Sequence, residues 1–274
     1  MDKRKWKLIT FLCTGLLVVI FLVPDHAQGK GDLWEVYQRC IRPKEFIDLT
    51  YSFSPGIPHW SGFPDMKVSI VHTYQKDGFL TQNFTHVGQY GTHVDAPAHF
   101  YKGLRTLDEI SVKEMIMPLV VINVSEKVKV NHDYELSIDD IRAWETKNGI
   151  IPEGAFVAMR SDWSKRWLHV DSFYNKDEKG QPHYPGWSLE ALKFLFEKRK
   201  INAIGHETLD TDAAVSQLKS GFAGESYVLK TNHFQIELLA NLYKVPDSGA
   251  LVVVAFPKPK GGSGFPARVF AIVP

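Results

Sequence analysis

The stretch on which this chain turns is Thr85-His86-Val87-Gly88-Gln89-Tyr90-Gly91-Thr92-His93-Val94-Asp95-Ala96-Pro97-Ala98-His99-Phe100. Imidazoles, a carboxylate and an amide crowd here among small residues, the side-chain mixture of a metal site. With residues 91 to 95 extended, the period of two along a strand puts Gly91, His93 and Asp95 on one face, and Gln89 precedes them on the same side. One strand would then offer an amide oxygen, an imidazole and a carboxylate to one cation. Gly88 and Gly91 let the backbone come close. Pro97 ends the ladder and sends His99 onto a loop at the rim. His86 lies three residues too early to join them. The bland alternative is a hairpin whose histidines only pack or face solvent.

Working outward, Val68 to Tyr74 alternates as a strand, Lys76-Asp77-Gly78 reads as a turn, and Leu80 to Val87 is the strand entering the motif. Upstream, the breakers of Ser54-Pro55-Gly56-Ile57-Pro58 mark a loop that carries His59-Trp60. That pair reads either as a surface staple or as an aromatic wall for a flat substrate. Phe46 to Thr50 is a short strand. Residues 31 to 46, with Leu33, Trp34, Tyr37 and Ile41 at helical spacing, predict an amphipathic packing helix that ends near Arg42-Pro43.

Downstream, Leu107 to Met115 predicts a short helix, and the apolar runs 118–124 and 155–160 predict buried strands. Between those strands, Ile138 to Lys147 is an amphipathic helix capped by Ser137. Arg160-Ser161-Asp162-Trp163 follows a buried strand, a usual place for substrate contacts in α/β proteins; a surface ion pair of Arg160 with Asp162 is the other reading. The polar stretch His169 to Tyr184 predicts an inserted loop or lid. Leu189 to Lys200 predicts a helix and 201–205 a strand leading into His206-Glu207-Thr208-Leu209-Asp210-Thr211-Asp212, a polar cluster that could equally be a cap and turn. Glu237, set among Ile236, Leu238 and Leu239, needs a partner such as a cation if buried. Leu251 to Phe256 and Arg268 to Ile272 are the last strands. This alternation supports an α/β class and, at 274 residues with 44% hydrophobic content, a single domain with a sizeable core.

Lys+Arg 32 against Asp+Glu 31, with no basic run in the body, argues against nucleic acid as the main partner. Lys3, Arg4, Lys5 and Lys7 precede an apolar run from Leu8 to Val23, then Pro24 and Ala27-Gln28-Gly29, the layout of a secretory signal over residues 1–29. The run is short of the roughly 20 residues that span a bilayer, although an uncleaved anchor is the other reading. The expectation is therefore an exported chain, periplasmic or secreted, with residues 30–274 as its domain. Cleavage would remove Cys13 and leave Cys40 alone, so no internal disulfide is expected. The glycines of Lys260-Gly261-Gly262-Ser263-Gly264 lack the lysine and hydroxyl of a phosphate loop, and no Gly-x-Ser-x-Gly occurs. Asn83 and Asn123 match the glycosylation pattern by chance within presumed strands.

Gly91-Thr92-His93-Val94-Asp95-Ala96-Pro97-Ala98-His99-Phe100 resembles the metal-dependent cyclase-family hydrolases, which include bacterial kynurenine formamidase and isatin hydrolase. Arg160-Ser161-Asp162-Trp163, Ile236-Glu237-Leu238-Leu239-Ala240-Asn241-Leu242 and the Gly261-Gly262 loop before Pro266-Ala267-Arg268 look like further landmarks of that family in order. The resemblance implies a mixed β core with flanking helices, of the swivelling β/β/α type, assembled as a homodimer or larger homo-oligomer. It places the metal on Gln89, His93 and Asp95, with Gln89 standing where the family has histidine. A second ion would fall on Glu237 and Glu225, the latter again at a histidine position, with Gln235 or His233 as substitute ligand or outer partner; one firmly held metal is expected. An amide oxygen in the set favours Mn²⁺ over Zn²⁺. The implied reaction is opening of a cyclic or aryl amide by metal-activated water, with His99 moving the proton. Trp60, Phe63, Phe100 and Trp163 are candidates for the aromatic substrate pocket. Two alternatives stay open: a lactone hydrolase on the same site, and a non-catalytic metal or ligand binder in which Gln89 and Glu225 mark a decayed centre.

Overall fold

The computed structural model describes residues 32–167 and 169–274; the expected signal, residues 1–29, lies outside them. The chain divides into a segment ending at Pro43 and a compact unit from Lys44 to Pro274. The first contains the helix Leu33–Val36, capped by Asp32, which runs into a π-turn at Tyr37–Ile41. None of its residues is buried, and Trp34 is 81% exposed. The helical run stops at the expected end near Arg42-Pro43, but it covers no core of its own.

The compact unit holds thirteen strands: β1 Glu45–Asp48, β2 Lys67–His72, β3 Thr81–Thr85, β4 His93–Asp95, β5 Ile116–Asn123, β6 Glu135–Leu136, β7 Phe156–Arg160, β8 Gly186–Trp187, β9 Ala203–His206, β10 Phe234–Glu237, β11 Ala250–Ala255, β12 Gly264–Pro266 and β13 Arg268–Val273. Nine form one mixed sheet in the order β1-β13-β11-β5-β7-β9-β10-β4-β12. Its middle, β5-β7-β9-β10, is parallel, and both flanks are antiparallel. Parallel strands are buried on both faces, which is why β5 and β7 read as unbroken apolar runs.

Alternate residues of β5 feed two cores. Val120 and Ile122 point into one, with Ile141 and Trp144 of helix Ile138–Asn148, Leu192 of helix Leu189–Lys193, Leu195 of the following π-turn and Val228 of helix Ala223–Lys230. Leu119 and Val121 point into the other, which the sheet closes with its own strands through Ile47, Val94, Ile236, Val252 and Val269. The expected α/β class with a mixed β core and flanking helices is what the chain adopts. Ser137 caps its helix in a reciprocal box with Asp140.

Two local expectations give way. Residues 107–115 form two 3₁₀ turns, Leu107–Glu109 and Val112–Met115, each with its own capping box, instead of one helix. The stretch 169–184 is no free lid: Phe173 and Tyr184 are buried in the first core, and Tyr174 donates its hydroxyl to the His59 carbonyl at 2.6 Å. Two aromatic anchors outweigh the polar residues between them. The hairpin β2–β3 stands as a separate two-stranded sheet. Among the described residues no helix is long and apolar enough to cross a membrane.

Candidate metal centre

Strands β4 and β10 run antiparallel, with Glu237 opposite His93 and Gln235 opposite Asp95. Because side chains alternate, these four share one face, and opposed residues on neighbouring strands have their Cβ atoms about 5 Å apart. His93 Nε2 lies 3.5 Å from Asp95 Oδ2 and 3.5 Å from Glu237 Oε2. One ligand atom from each of His93, Asp95 and Glu237 falls within 4.8 Å of the others, and all three residues are buried. His93 Nδ1 lies 2.8 Å from the Gly91 carbonyl, so this nitrogen carries a proton, and Nε2 faces the two carboxylates as the atom a cation would take.

The two strands are tied at the His93–Glu237 end of this patch. Thr92 donates its hydroxyl to the Leu238 carbonyl at 2.7 Å and accepts the Tyr51 N–H at 3.1 Å. Leu238 has φ +57, a left-handed turn for a bulky residue, and ends β10 directly after Glu237. Gly91 has φ +64. The motif is therefore not extended through residue 91, and β4 begins only at His93. Gln89 does not continue that strand. It lies in the bend before it, with its amide nitrogen 3.4 Å from His99 Nδ1. A Cβ on Gly264 would come within 2.2 Å of that amide, so the glycine loop leaves the space that Gln89 fills. His99 sits on the 3₁₀ turn Pro97–His99, just past the end of β4. His86 turns its ring to the Val87 carbonyl.

Above the patch is a cavity of about 210 Å³. Gln89, His93, Asp95, Glu225 and Glu237 line its polar side with His99 at the edge; Trp60, Phe63, Phe100, Phe222 and Leu209 line its apolar side. The loop bearing Trp60 is pinned where Tyr174 bonds both the carbonyl and the N–H of His59. Trp163 is not at this site. It is 1% exposed in the first core, its indole N–H donates to the Phe173 carbonyl, and Arg166 covers its face. Arg160 and Asp162 form a half-buried ion pair at 2.7 Å that Lys165 extends, away from the cavity. His233 bonds the Asn202 carbonyl and packs on Phe196.

Two groups in the patch had no role in the sequence-based expectation. Asp210 lines the cavity and accepts a 2.5 Å bond from the Tyr184 hydroxyl. His206, fully buried at the end of β9, has Nε2 3.4 Å from Glu237 Oε1, and neither ring nitrogen makes a hydrogen bond. Their signal was the density of polar residues following an apolar strand. Glu207 in the same run is structural: Ser161 and Ser164 bond its carboxylate.

The electrostatics are those of a site short of positive charge. Burial, then the neighbouring carboxylates of Asp95 and Asp210, push Glu225 well above the ordinary glutamate range. Burial, Asp95 and Glu225 do the same to Glu237. Burial also works against the Asp95 anion, but His93, His99 and Gln235 prevail and hold it at about 2. Burial pushes His206 down to about 3, so it is neutral and brings no compensating charge. Asp95 Oδ1 has no hydrogen-bond partner. One imidazole nitrogen, two convergent carboxylates and an orphaned carboxylate oxygen fit a divalent cation.

The chain is similar to known proteins over most of its length. The Cyclase family model matches residues 47–213. Isatin hydrolase of Roseibium aggregatum is 35% identical over 244 residues, covering 84% of this chain and 92% of that protein. The solved isatin hydrolase A of Ralstonia solanacearum superposes with a TM-score of 0.80 at 34% identity, covering 88% of this chain and 96% of the other. An isatin hydrolase bound to the product analogue thioisatinate superposes equally well, TM-score 0.80, at 31% identity over the same shares of both chains. The chain belongs to the Cyclase family of metal-dependent hydrolases.

Proposed function

We propose that this protein opens a cyclic or aryl amide, isatin-like or formylkynurenine-like, by hydrolysis at a divalent metal held by His93, Asp95 and Glu237. The observation that carries the reading is the convergence of those three buried donors beneath an aromatic-walled cavity. At about 210 Å³ the cavity is below the roughly 300–1,000 Å³ of drug-sized pockets, which suits a molecule of one or two rings. Trp60, Phe63 and Phe100 would flank the ring. A divalent cation supplies Lewis acidity toward the amide carbonyl and makes water a competent nucleophile at neutral pH. His99 takes the proton from the attacking water and returns it to the leaving nitrogen, so that a C–O bond forms, the C–N bond breaks and the product carries a carboxylate and an amine. With its amide turned so that the oxygen accepts the Nδ1–H, Gln89 would steady the His99 ring and leave Nε2 to take the proton.

With one nitrogen and two carboxylates, the donor set is rich in hard oxygen, which favours Mn²⁺ over Zn²⁺. Glu225 is left to serve as an outer carboxylate. The hairpin β2–β3 leaves Ile70, Val71 and Phe84 more than half exposed; a lone two-stranded sheet is marginal in water, so a homo-oligomer that covers it is part of the proposal. Export through residues 1–29 is a further part, tested by fractionating cells and reading the N-terminus of the purified protein.

The test of activity is a panel of isatin, an arylformamide and an aromatic lactone, offered to the protein after chelation and after reloading with Mn²⁺ or Zn²⁺. Amide opening that returns with metal, faster with Mn²⁺, supports the proposal. Stoichiometric metal with no turnover of any amide overturns it, and turnover of the lactone alone favours the lactone reading.

A further inference from the structure

Three corners of the four-residue patch on β4 and β10 converge as metal donors; the fourth is Gln235. Its side chain is fully buried and takes no part in lining the cavity, so no substrate touches it. Its amide nitrogen lies 3.3 Å from Asp95 Oδ2, 3.2 Å from Glu225 Oε1 and 3.1 Å from Glu237 Oε1. Its amide oxygen accepts a 2.6 Å bond from the Thr211 hydroxyl. That last bond sets the orientation. Turned over, the amide would present its oxygen to three carboxylates and lose the hydroxyl donor. Two N–H groups face three carboxylate oxygens, so the amide aims the cluster without neutralising it, and the remaining demand falls on a cation.

We propose that Gln235, oriented by Thr211, is the positioning residue of the metal centre: it holds Asp95 and Glu237 at the angle at which they bind one ion and keeps Glu225 beside them as the outer carboxylate. The inference rests on the reading that the site holds a metal. Outer-shell groups of this kind are worth roughly 10–100-fold in metal affinity. Gln235→Met keeps the volume and removes the donors; Thr211→Val keeps the amide and removes what orients it; Thr211→Ser restores the hydroxyl.

The experiment strips the full-length protein with chelator, titrates Mn²⁺ back by calorimetry, and follows the fold of each metal-free variant by circular dichroism. A loss of roughly 10–100-fold in Mn²⁺ affinity for Thr211→Val and Gln235→Met, with Thr211→Ser close to wild type, supports the assignment. A folded Thr211→Val that binds Mn²⁺ as wild type does overturns it, including the case where only thermal stability falls, because a packing role would move stability and leave affinity alone. If Gln235→Met does not fold, the two Thr211 variants decide. Failure of the wild type itself to bind Mn²⁺ overturns the metal reading instead, and is distinguishable because it appears before any substitution is compared.

Discussion

Gly264→Ala is a substitution outside the donor set whose effect can be worked from distances. Gly264 sits on β12 opposite Asp95. A Cβ there would lie 2.2 Å from the Gln89 amide nitrogen, 2.8 Å from its carbonyl carbon and 2.9 Å from the Val94 carbonyl oxygen. Restoring ordinary contact pushes the amide aside by about 1 Å, and a misplacement of that size near reacting groups costs up to roughly 100-fold in rate. The overpacking itself costs about 1–3 kcal/mol, or roughly 2–4 °C in Tm for each kcal/mol at this chain length. His93, Asp95 and Glu237 are untouched, so metal content should stay at the wild-type level while kcat falls and Tm drops by several degrees. Gln89→Ala removes the far end of the clash. In that background Gly264→Ala should cost much less in both Tm and kcat, a coupling that a double-mutant cycle measures directly. A Gly264→Ala protein with wild-type kcat, or effects of the two substitutions that simply add, would refute the link from Gly264 through Gln89 to His99.

Metal removal should make stability depend on pH in a defined direction. Below the ordinary glutamate value of 4.5 both folded and unfolded chains are protonated at Glu225 and Glu237. As pH rises past it, the unfolded chain ionises first and folding loses about 1.4 kcal/mol for each unit by which a folded pKa is lifted. Tm of the chelated protein, followed by scanning fluorimetry, should fall as pH rises above about 4.5, more steeply than that of the Mn²⁺-loaded protein. Asp95, held at about 2, acts in the opposite sense and only at lower pH. Trp60→Ala should raise KM for an aromatic amide by roughly 10-fold or more with metal content unchanged, since the loss is of apolar contact; an unchanged KM would remove Trp60 from the pocket. Ile70→Asp on the exposed hairpin should shift the protein to a smaller species in light scattering after gel filtration, whereas an unshifted mass would exclude that surface as the contact.

Much of the site was legible because one short strand carries it. His93 and Asp95 alternate on β4, and Glu237 stood out as a carboxylate that an apolar neighbourhood would have to neutralise. Gln89 shows where strand periodicity stops helping: the left-handed Gly91 breaks the extended run, so the amide reaches His99 by a route that spacing does not encode. Gln235 and Glu237 alternate just as His93 and Asp95 do, yet the register that brings the two pairs together is set by strands far apart in the chain. Trp163 follows a buried strand as a pocket residue would, but its indole N–H found a partner inward at Phe173, and nothing in the spacing separates those outcomes. The helix at Leu33–Val36 has an apolar stripe and buries nothing within its own unit, because a period of 3.6 marks a face without naming what covers it. The long central strands, by contrast, were plain from their apolar runs.

One comparison of metal content with turnover tests this metal centre most directly. Purified His93→Ala and Asp95→Ala proteins should lose bound metal by elemental analysis and lose amide opening together, whereas His99→Ala should keep its metal and lose turnover alone. An Asp95→Ala protein that retains both metal and activity would contradict the assignment of this centre.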